Sequence, residues 1–115
     1  MSDILRRAFI ISTCLAPIGV ASAQDQTQID RGRKVYADQK CSICHAIGGK
    51  GNAKGALDDV GSRLNADDIR QWMVNPARMT RRTKAERKPL MRAYPNLSKE
   101  DVDALVAYML SLKKK

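Results

Sequence analysis

Two thiols and an imidazole meet in Cys41-Ser42-Ile43-Cys44-His45. Thiols three positions apart can each add across one vinyl group of a haem, and an imidazole directly after the second is carried under the iron as its axial ligand. A census sharpens the signal, because His45 is the single histidine of the chain and Cys14 the one remaining cysteine. The run reads as a c-type attachment site for one haem, held covalently through Cys41 and Cys44. A structural zinc site would need four ligands and finds three, with no second CxxC or HxxxH to complete it. A thioredoxin-like dithiol would need a βαβ framework, and none is visible. Two merely buried cysteines fit poorly in a polar, glycine-rich stretch of a chain that begins with an export signal.

Residues 1–23 carry that signal. Arg6 and Arg7 form the basic start, Ala8 to Val20 the apolar run, and Ala21-Ser22-Ala23 a small-residue cleavage site before Gln24. The run falls short of the roughly 20 residues that span a bilayer, so no membrane span is expected after the signal is removed. Cys14 is expected to leave with it. Arg6-Arg7 hints at twin-arginine export, but haem is attached after export and the chain should cross unfolded. The expected location is the periplasm, with residues 24–115 as one monomeric domain. A chain of that size buries a small core and needs a staple, which a central macrocycle provides. The few aromatics agree: Tyr36, Tyr94, Tyr108 and Trp72 are all that follow the signal.

Loss of the signal lowers the formal net charge only from +9 to +8. The cations are unevenly spread. Arg78, Arg81, Arg82, Lys84, Arg87, Lys88 and Arg92 crowd one stretch, and Lys113 to Lys115 end the chain. Any one of them is simply a solvated surface charge; together they favour redox protein partners with acidic docking surfaces. Nucleic acid is disfavoured, since no aromatics suited to base stacking alternate with the basic residues.

The elements that must position the motif read as helices. Gln24 to Gln28 is expected as a loose leader, and Ile29 to Gln39 as a helix with Ile29, Gly32 and Tyr36 on one face. Gly32 suggests the close approach of another backbone. Four glycines in Gly48 to Gly55 argue against regular structure and let the chain wrap a flat ligand. A second helix is expected from Asn65 or Ala66 through Val74, stopped by Asn75-Pro76. Ala77 to Pro95 reads mainly as loop, with a short helical turn near Arg82 to Arg87. Ser98-Lys99-Glu100-Asp101 is a capping-box pattern opening the last helix, whose apolar stripe is Val102, Leu105, Val106, Met109 and Leu110. Lys113 to Lys115 follow where the helix dipole favours cations. The domain is all-α, with three main helices and loops around one haem.

These residues resemble a class I single-haem bacterial cytochrome c over nearly all of 24–115. The resemblance is carried by Gly32-Arg33-Lys34-Val35-Tyr36, the haem motif, Leu57-Asp58-Asp59-Val60-Gly61-Ser62-Arg63-Leu64, Ile69-Arg70-Gln71-Trp72 with Asn75-Pro76, and Leu105-Val106-Ala107-Tyr108-Met109. It implies that the first and last helices cross with Gly32 facing Leu105, and Tyr36 and Tyr108 nearby. It implies that Trp72 and Arg63 lie on the propionate side of the haem; the plainer alternative makes Trp72 core and Arg63 surface. The family fixes its axial histidine with the carbonyl of a proline in Gly-Pro-x-Leu. Here that segment is Gly55-Ala56-Leu57-Asp58, leaving the Ala56 carbonyl to act.

A thioether opposite His45 favours reduced iron. Met73 and Met109 fall on apolar helix faces, where core filling explains them. Met79 and Met91 lie in the stretch expected to cross the far haem face. The proline-flanked placement of Met91 resembles the family's ligand loop and makes it the sixth ligand, with Met79 the alternative. The function that follows is one-electron transfer by a His45/Met91 haem, without catalysis. Two alternatives remain: a haem-bearing subunit of a larger dehydrogenase or oxidase, and a haem enzyme with an open sixth site.

Overall fold

Ser98 accepts the Asp101 amide at 3.1 Å and begins the last helix where its capping sequence places it. In the computed structural model, which describes Ser12, Cys14 and residues 20–115, the described residues form five α-helices. These are α1 (Val20–Asp38), α2 (Val60–Arg63), α3 (Ala66–Val74), α4 (Pro76–Thr83) and α5 (Lys99–Ser111). Two 3-10 turns (Cys41–Ile43 and Ala53–Gly55) and two short strands, β1 (Ala46–Ile47) and β2 (Lys50–Gly51), lie between α1 and α2. The architecture is all-α. The basic start of the expected export signal and most of its apolar run fall outside the described residues.

Helices α1 and α5 cross in direct contact. A Cβ on Gly32 would stand 2.1 Å from the Ala104 carbonyl oxygen and 2.7 Å from Tyr108 Cβ. The crossing expected from the sequence is present, but Gly32 meets the Ala104 backbone and not Leu105. Leu105 instead turns into the core with Val35, Val60, Ile69, Met73, Val102, Val106, Tyr108 and Met109. Tyr36 packs edge-on against Tyr108 with ring centroids 6.0 Å apart, and the Arg33 guanidinium lies 5.5 Å over the Tyr108 ring. Such pairs add attraction beyond the area they bury.

Three expectations are corrected. Residues 24–28 are helical and not a loose leader: no Gly or Pro interrupts the stretch, and Gln26 Nε2 bonds Asp30 Oδ1 at 2.9 Å one turn on. Pro76 ends α3 but also starts α4, in place of the loop expected after it. The Asn75 side chain accepts the Arg78 amide, Pro76 fills the first turn where its missing N–H costs nothing, and Met79 gives the helix a buried anchor. Lys84 then closes α4 in the left-handed conformation at φ 55, short of the expected turn at 82–87. The glycine-rich stretch is partly regular. Strands β1 and β2 pair antiparallel, Ala46 with Gly51 and Ile47 with Lys50, around Gly48 and Gly49 at φ 60 and 77. Positive φ at both central residues is what a two-residue hairpin turn requires.

The ends of the fold are tied to its middle. Asn65 caps α3 by accepting the Asp68 amide at 2.8 Å. Past α5, the chain does not leave Lys113 free at the helix end: its Nζ donates to the Gly61 carbonyl at 2.7 Å, while the Gly61 amide donates to Leu112 at 2.8 Å. Between α3 and α5, Asp103 accepts from Arg70 at 2.5 Å and Lys99 at 2.6 Å, which holds its carboxyl below the usual value.

Gly32→Ala separates two effects of opposite sign. Helix propensity alone would stabilise α1 by about 1 kcal/mol. The clash with α5 should override this and destabilise by about 1–3 kcal/mol, read as a lower denaturation midpoint. Asp103 gives a pH prediction. Its depressed pKa stabilises the fold above the ordinary carboxyl value of 3.8, and that contribution disappears as pH falls through the folded-state pKa. Asp103→Asn should therefore lie below wild type in stability at neutral pH and converge with it in acid.

Candidate functional site

Helix α1 delivers the motif. Its last turn passes through Lys40, in the left-handed conformation at φ 55, straight into the 3-10 turn that carries Cys41 and ends at Cys44. The Cys44 and His45 amides both donate to the Cys41 carbonyl, at 3.1 and 2.9 Å, so the thiols and the imidazole share one tightly wound segment. Both thiols are free and half-buried. Burial pushes the Cys41 thiol up in pKa, more than the nearby Arg92 pulls it down. Among the described residues no three Cys, His, Asp or Glu side chains gather as ligands of one metal ion.

The imidazole is fixed on one side. His45 Nδ1 lies 2.9 Å from the Gly55 carbonyl oxygen, and because a carbonyl only accepts, Nδ1 carries the proton in this bond. Burial lowers the His45 pKa, opposed by the Gly55 bond and reinforced by the Arg87 charge, so the ring is neutral at pH 7 and Nε2 keeps its lone pair. The acceptor is Gly55, one residue before the expected Ala56. Ala56 holds φ −58 and ψ 132, angles that a proline ring also favours, so the backbone keeps that course without the proline. Its neighbour Leu57 donates to the Ala46 carbonyl at 2.8 Å, which locks this segment to β1.

Asn52, not singled out in the sequence, staples the motif from outside. Its amide donates to the Ser42 and His45 carbonyls at 3.1 and 3.0 Å, and its side-chain nitrogen to the Ile43 carbonyl at 3.3 Å. An Asn seven residues past the histidine, between glycines, was the available signal. Gly51 permits the approach: at φ 110, a Cβ there would stand 2.1 Å from the His45 carbonyl oxygen.

The other expected site residues divide. Met91 is half-buried against the core, in the loop that leads into α5. That loop is tied to α3 by the Tyr94 amide, which donates to the Met73 carbonyl at 3.1 Å. Met79 is the most completely buried large side chain among the described residues, at 1% exposure, and Arg82 Nη1 lies 3.9 Å from its sulfur. Met73 and Met109 fill the core. Trp72 is half-buried and stands outside the hydrophobic core cluster. Arg63 is exposed and paired one turn back with Asp59 at 2.8 Å.

A haem fits this set of residues. Two free thiols are presented on one turn beside a neutral, oriented imidazole. The Tyr36 hydroxyl, near Cys41, is buried without a hydrogen-bond partner, and burial pushes its pKa up to about 12. An orphaned buried donor of this kind is what an interior lacking one of its components leaves.

Residues 29–113 match the family model for cytochrome c. The chain belongs to the cytochrome c family. It is also similar to a cytochrome c oxidase subunit 2 of Alkalihalophilus pseudofirmus, with 34% identity over 97 residues. That match takes in 76% of this chain but only 27% of the oxidase subunit. No solved structure matches. Membership of the family implies haem c as cofactor, electron transfer as function and redox proteins as partners. Among the described residues no helix is long and apolar enough to cross a membrane.

Two glycines of the hairpin, Gly49 in its turn and Gly51 in β2, make a graded prediction. Gly49→Ala meets no atom within 4 Å and should cost only its left-handed strain, about 1–2 kcal/mol. Gly51→Ala adds a collision with the His45 carbonyl and should cost clearly more. Chemical denaturation of the two variants, together with their haem content, orders them.

Proposed function

We propose that this cytochrome c is an exported, periplasmic carrier of single electrons, a monomer with one haem attached through Cys41 and Cys44 and ligated by His45 and Met91. The observation that supports it best is the pinned imidazole: Nδ1 donates to Gly55 while Nε2 is left free, beside two free thiols. When bound, the haem supplies a one-electron iron couple whose potential a thioether ligand raises. The chain's own residues do the rest. Gly55 and Asn52 hold His45 in one orientation through the redox change, and the loop from Lys84 to Leu97 brings Met91 toward the opposite side. Trp72 and Arg63 are assigned to the propionate side, Arg63 after release from its exposed pair with Asp59. Such a pair is worth at most about 1 kcal/mol, less than a charged hydrogen bond can return.

Met91 is favoured over Met79 on packing grounds. The Met79 side chain is fully enclosed and anchors α4, so using its sulfur would unseat the helix. Met91 sits on an irregular segment able to place a sulfur without that cost. With both axial positions filled and no second histidine to act as a distal acid or base, the reading is a carrier and not an enzyme.

The unpaired cations suit an acidic redox partner. Arg78, Arg81, Lys84, Arg87 and Lys88 pair with no carboxylate among the described residues. A second reading, a fixed subunit of a larger oxidase, draws on the likeness to the oxidase subunit. A complex that survives purification at high salt would favour it; salt-sensitive, transient association favours the carrier.

The test is optical. The purified protein should give a pyridine haemochrome spectrum of a haem held by two thioethers; a colourless, folded product would overturn the proposal. Met91→Ala should abolish the weak red charge-transfer band of thioether-bound ferric haem. Met79→Ala should keep that band and lose about 2–5 kcal/mol of stability. The opposite pattern would move the ligand to Met79.

A further inference from the structure

Gly55 lacks a side chain, and the space for one is already taken. A Cβ there would stand 2.2 Å from the Cys44 carbonyl oxygen, 2.3 Å from Arg87 Nη1 and 3.0 Å from His45 Nδ1. The bare Cα is a notch, and a guanidinium from the loop between α4 and α5 descends into it beside the imidazole. The same residue whose carbonyl orients the ring thus admits a cation to the ring's edge. Arg87 forms no ion pair among the described residues, so its charge is not cancelled locally.

We propose that Arg87, seated in the Gly55 notch, is a positioning and potential-setting residue: it holds the Met91 loop against the haem motif and favours the reduced state of an iron bound by His45. This deepens the functional proposal and rests on His45 being the axial ligand. The physics is Coulombic. Oxidation adds one positive charge at the iron, and a cation held beside the half-buried imidazole that would carry the iron disfavours that charge. One electron passes between the iron and a redox protein, no bond forms or breaks, and Arg87 exchanges no proton. A guanidinium stays charged throughout the accessible pH range, so the effect does not depend on pH. Lys88 is one residue along, exposed like Arg87 but outside the notch, and supplies the internal comparison.

The experiment is a potentiometric titration of the haem-loaded protein, followed by absorption, for wild type, Arg87→Gln, Arg87→Lys and Lys88→Gln. At a fixed ambient potential, Arg87→Gln should shift the ratio of oxidised to reduced protein about threefold or more toward oxidised. Arg87→Lys, which keeps the charge, should recover most of that shift, and Lys88→Gln should move the ratio by less than half as much. High salt should weaken the Arg87 effect less than the Lys88 effect, because screening acts least over the shortest separation. In nitrogen-resolved NMR, the Nδ1–H signal of His45 should move in Arg87→Gln and stay in Lys88→Gln. Equal shifts for the two Gln variants that vanish together in salt, or no shift for Arg87→Gln, would overturn the inference. If Arg87→Gln loads too little haem to titrate, Arg87→Ala against Lys88→Ala reads the same quantity. Pyridine treatment separates the two proposals: protein without covalent haem defeats the functional reading, whereas haem-loaded protein indifferent to Arg87 defeats only this one.

Discussion

The contact between Gly32 and the backbone of Ala104 is the constraint on which the rest of this molecule depends. It lets α1 and α5 cross with almost no side chain between them. Each helix is joined directly to one half of the candidate site. The C-terminal end of α1 runs through Lys40 into the Cys41–Ile43 turn, and the N-terminal end of α5 follows the loop that carries Met91. Fixing the crossing therefore fixes the separation of the two loops proposed to grip a haem from opposite sides. A looser crossing would leave each loop internally intact but misplaced with respect to the other. The Tyr36–Tyr108 and Arg33–Tyr108 contacts reinforce the crossing near its centre, where a small rotation would be felt most at the loops.

The proximal loop obeys a similar economy of bulk. Between His45 and Ala56 the chain reverses at Gly48-Gly49, passes Gly51 against the His45 carbonyl, and returns beside β1 so that Gly55 faces the imidazole. Side chains are missing where backbone must touch backbone. Order comes from hydrogen bonds instead, chiefly through Asn52, which donates to three successive parts of the motif. This explains how the segment dispenses with the proline of the related pattern. Rigidity that a ring would impose on one residue is spread over the hairpin, the parallel bridge of Ala46 to Ala56 and the Asn52 bonds.

Local signals were legible in the sequence and non-local ones were not. The Ser98 and Asn65 caps and the α5 stripe depend on residues within one or two turns, so composition and spacing sufficed to place them. The α1–α5 crossing could be anticipated because a glycine in an otherwise helical pattern asks for a neighbour, yet its partner is Ala104 because backbone approach is set by the crossing geometry and not by the apolar stripe. Helix α4 was missed because Pro76 is both a stop and a start; only the burial of Met79, a tertiary fact, decides that the following residues coil. The polar run before Ile29 is helical for the converse reason, since nothing in it breaks a helix. The switch of the His45 acceptor from Ala56 to Gly55 and the descent of Arg87 toward the ring join residues far apart in sequence, and no periodicity encodes either. The roles proposed for Met91, Trp72 and Arg63 rest on family resemblance, because an axial or propionate contact requires the haem itself.

The charges sort themselves in a way that bears on both functional readings. Carboxylates on α1, α3 and α5 are largely consumed by nearby cations: Asp30 by Arg33, Asp38 by Lys34, Asp68 by Arg82, Asp101 by Arg31, and Asp103 by Arg70 and Lys99. The stretch from Arg78 to Lys88 contains six cations against a single acid, Glu86, and among those cations only Arg82 finds a carboxylate among the described residues. The molecule thus presents an electrostatically asymmetric surface even though each individual pair is weak. For a diffusing carrier, such asymmetry orients encounter before contact and leaves dissociation fast, because exposed charges contribute more to association rate than to affinity. For a fixed subunit, the same cations would have to be covered and paired in the assembly, and a polar rim alone would hold it poorly against salt. Among the described residues the exposed large hydrophobics are Ile43, Val74 and Leu90. An excess of unpaired charge on an exposed stretch is what supports the carrier proposed above, since brief, repeated encounters draw on such charge.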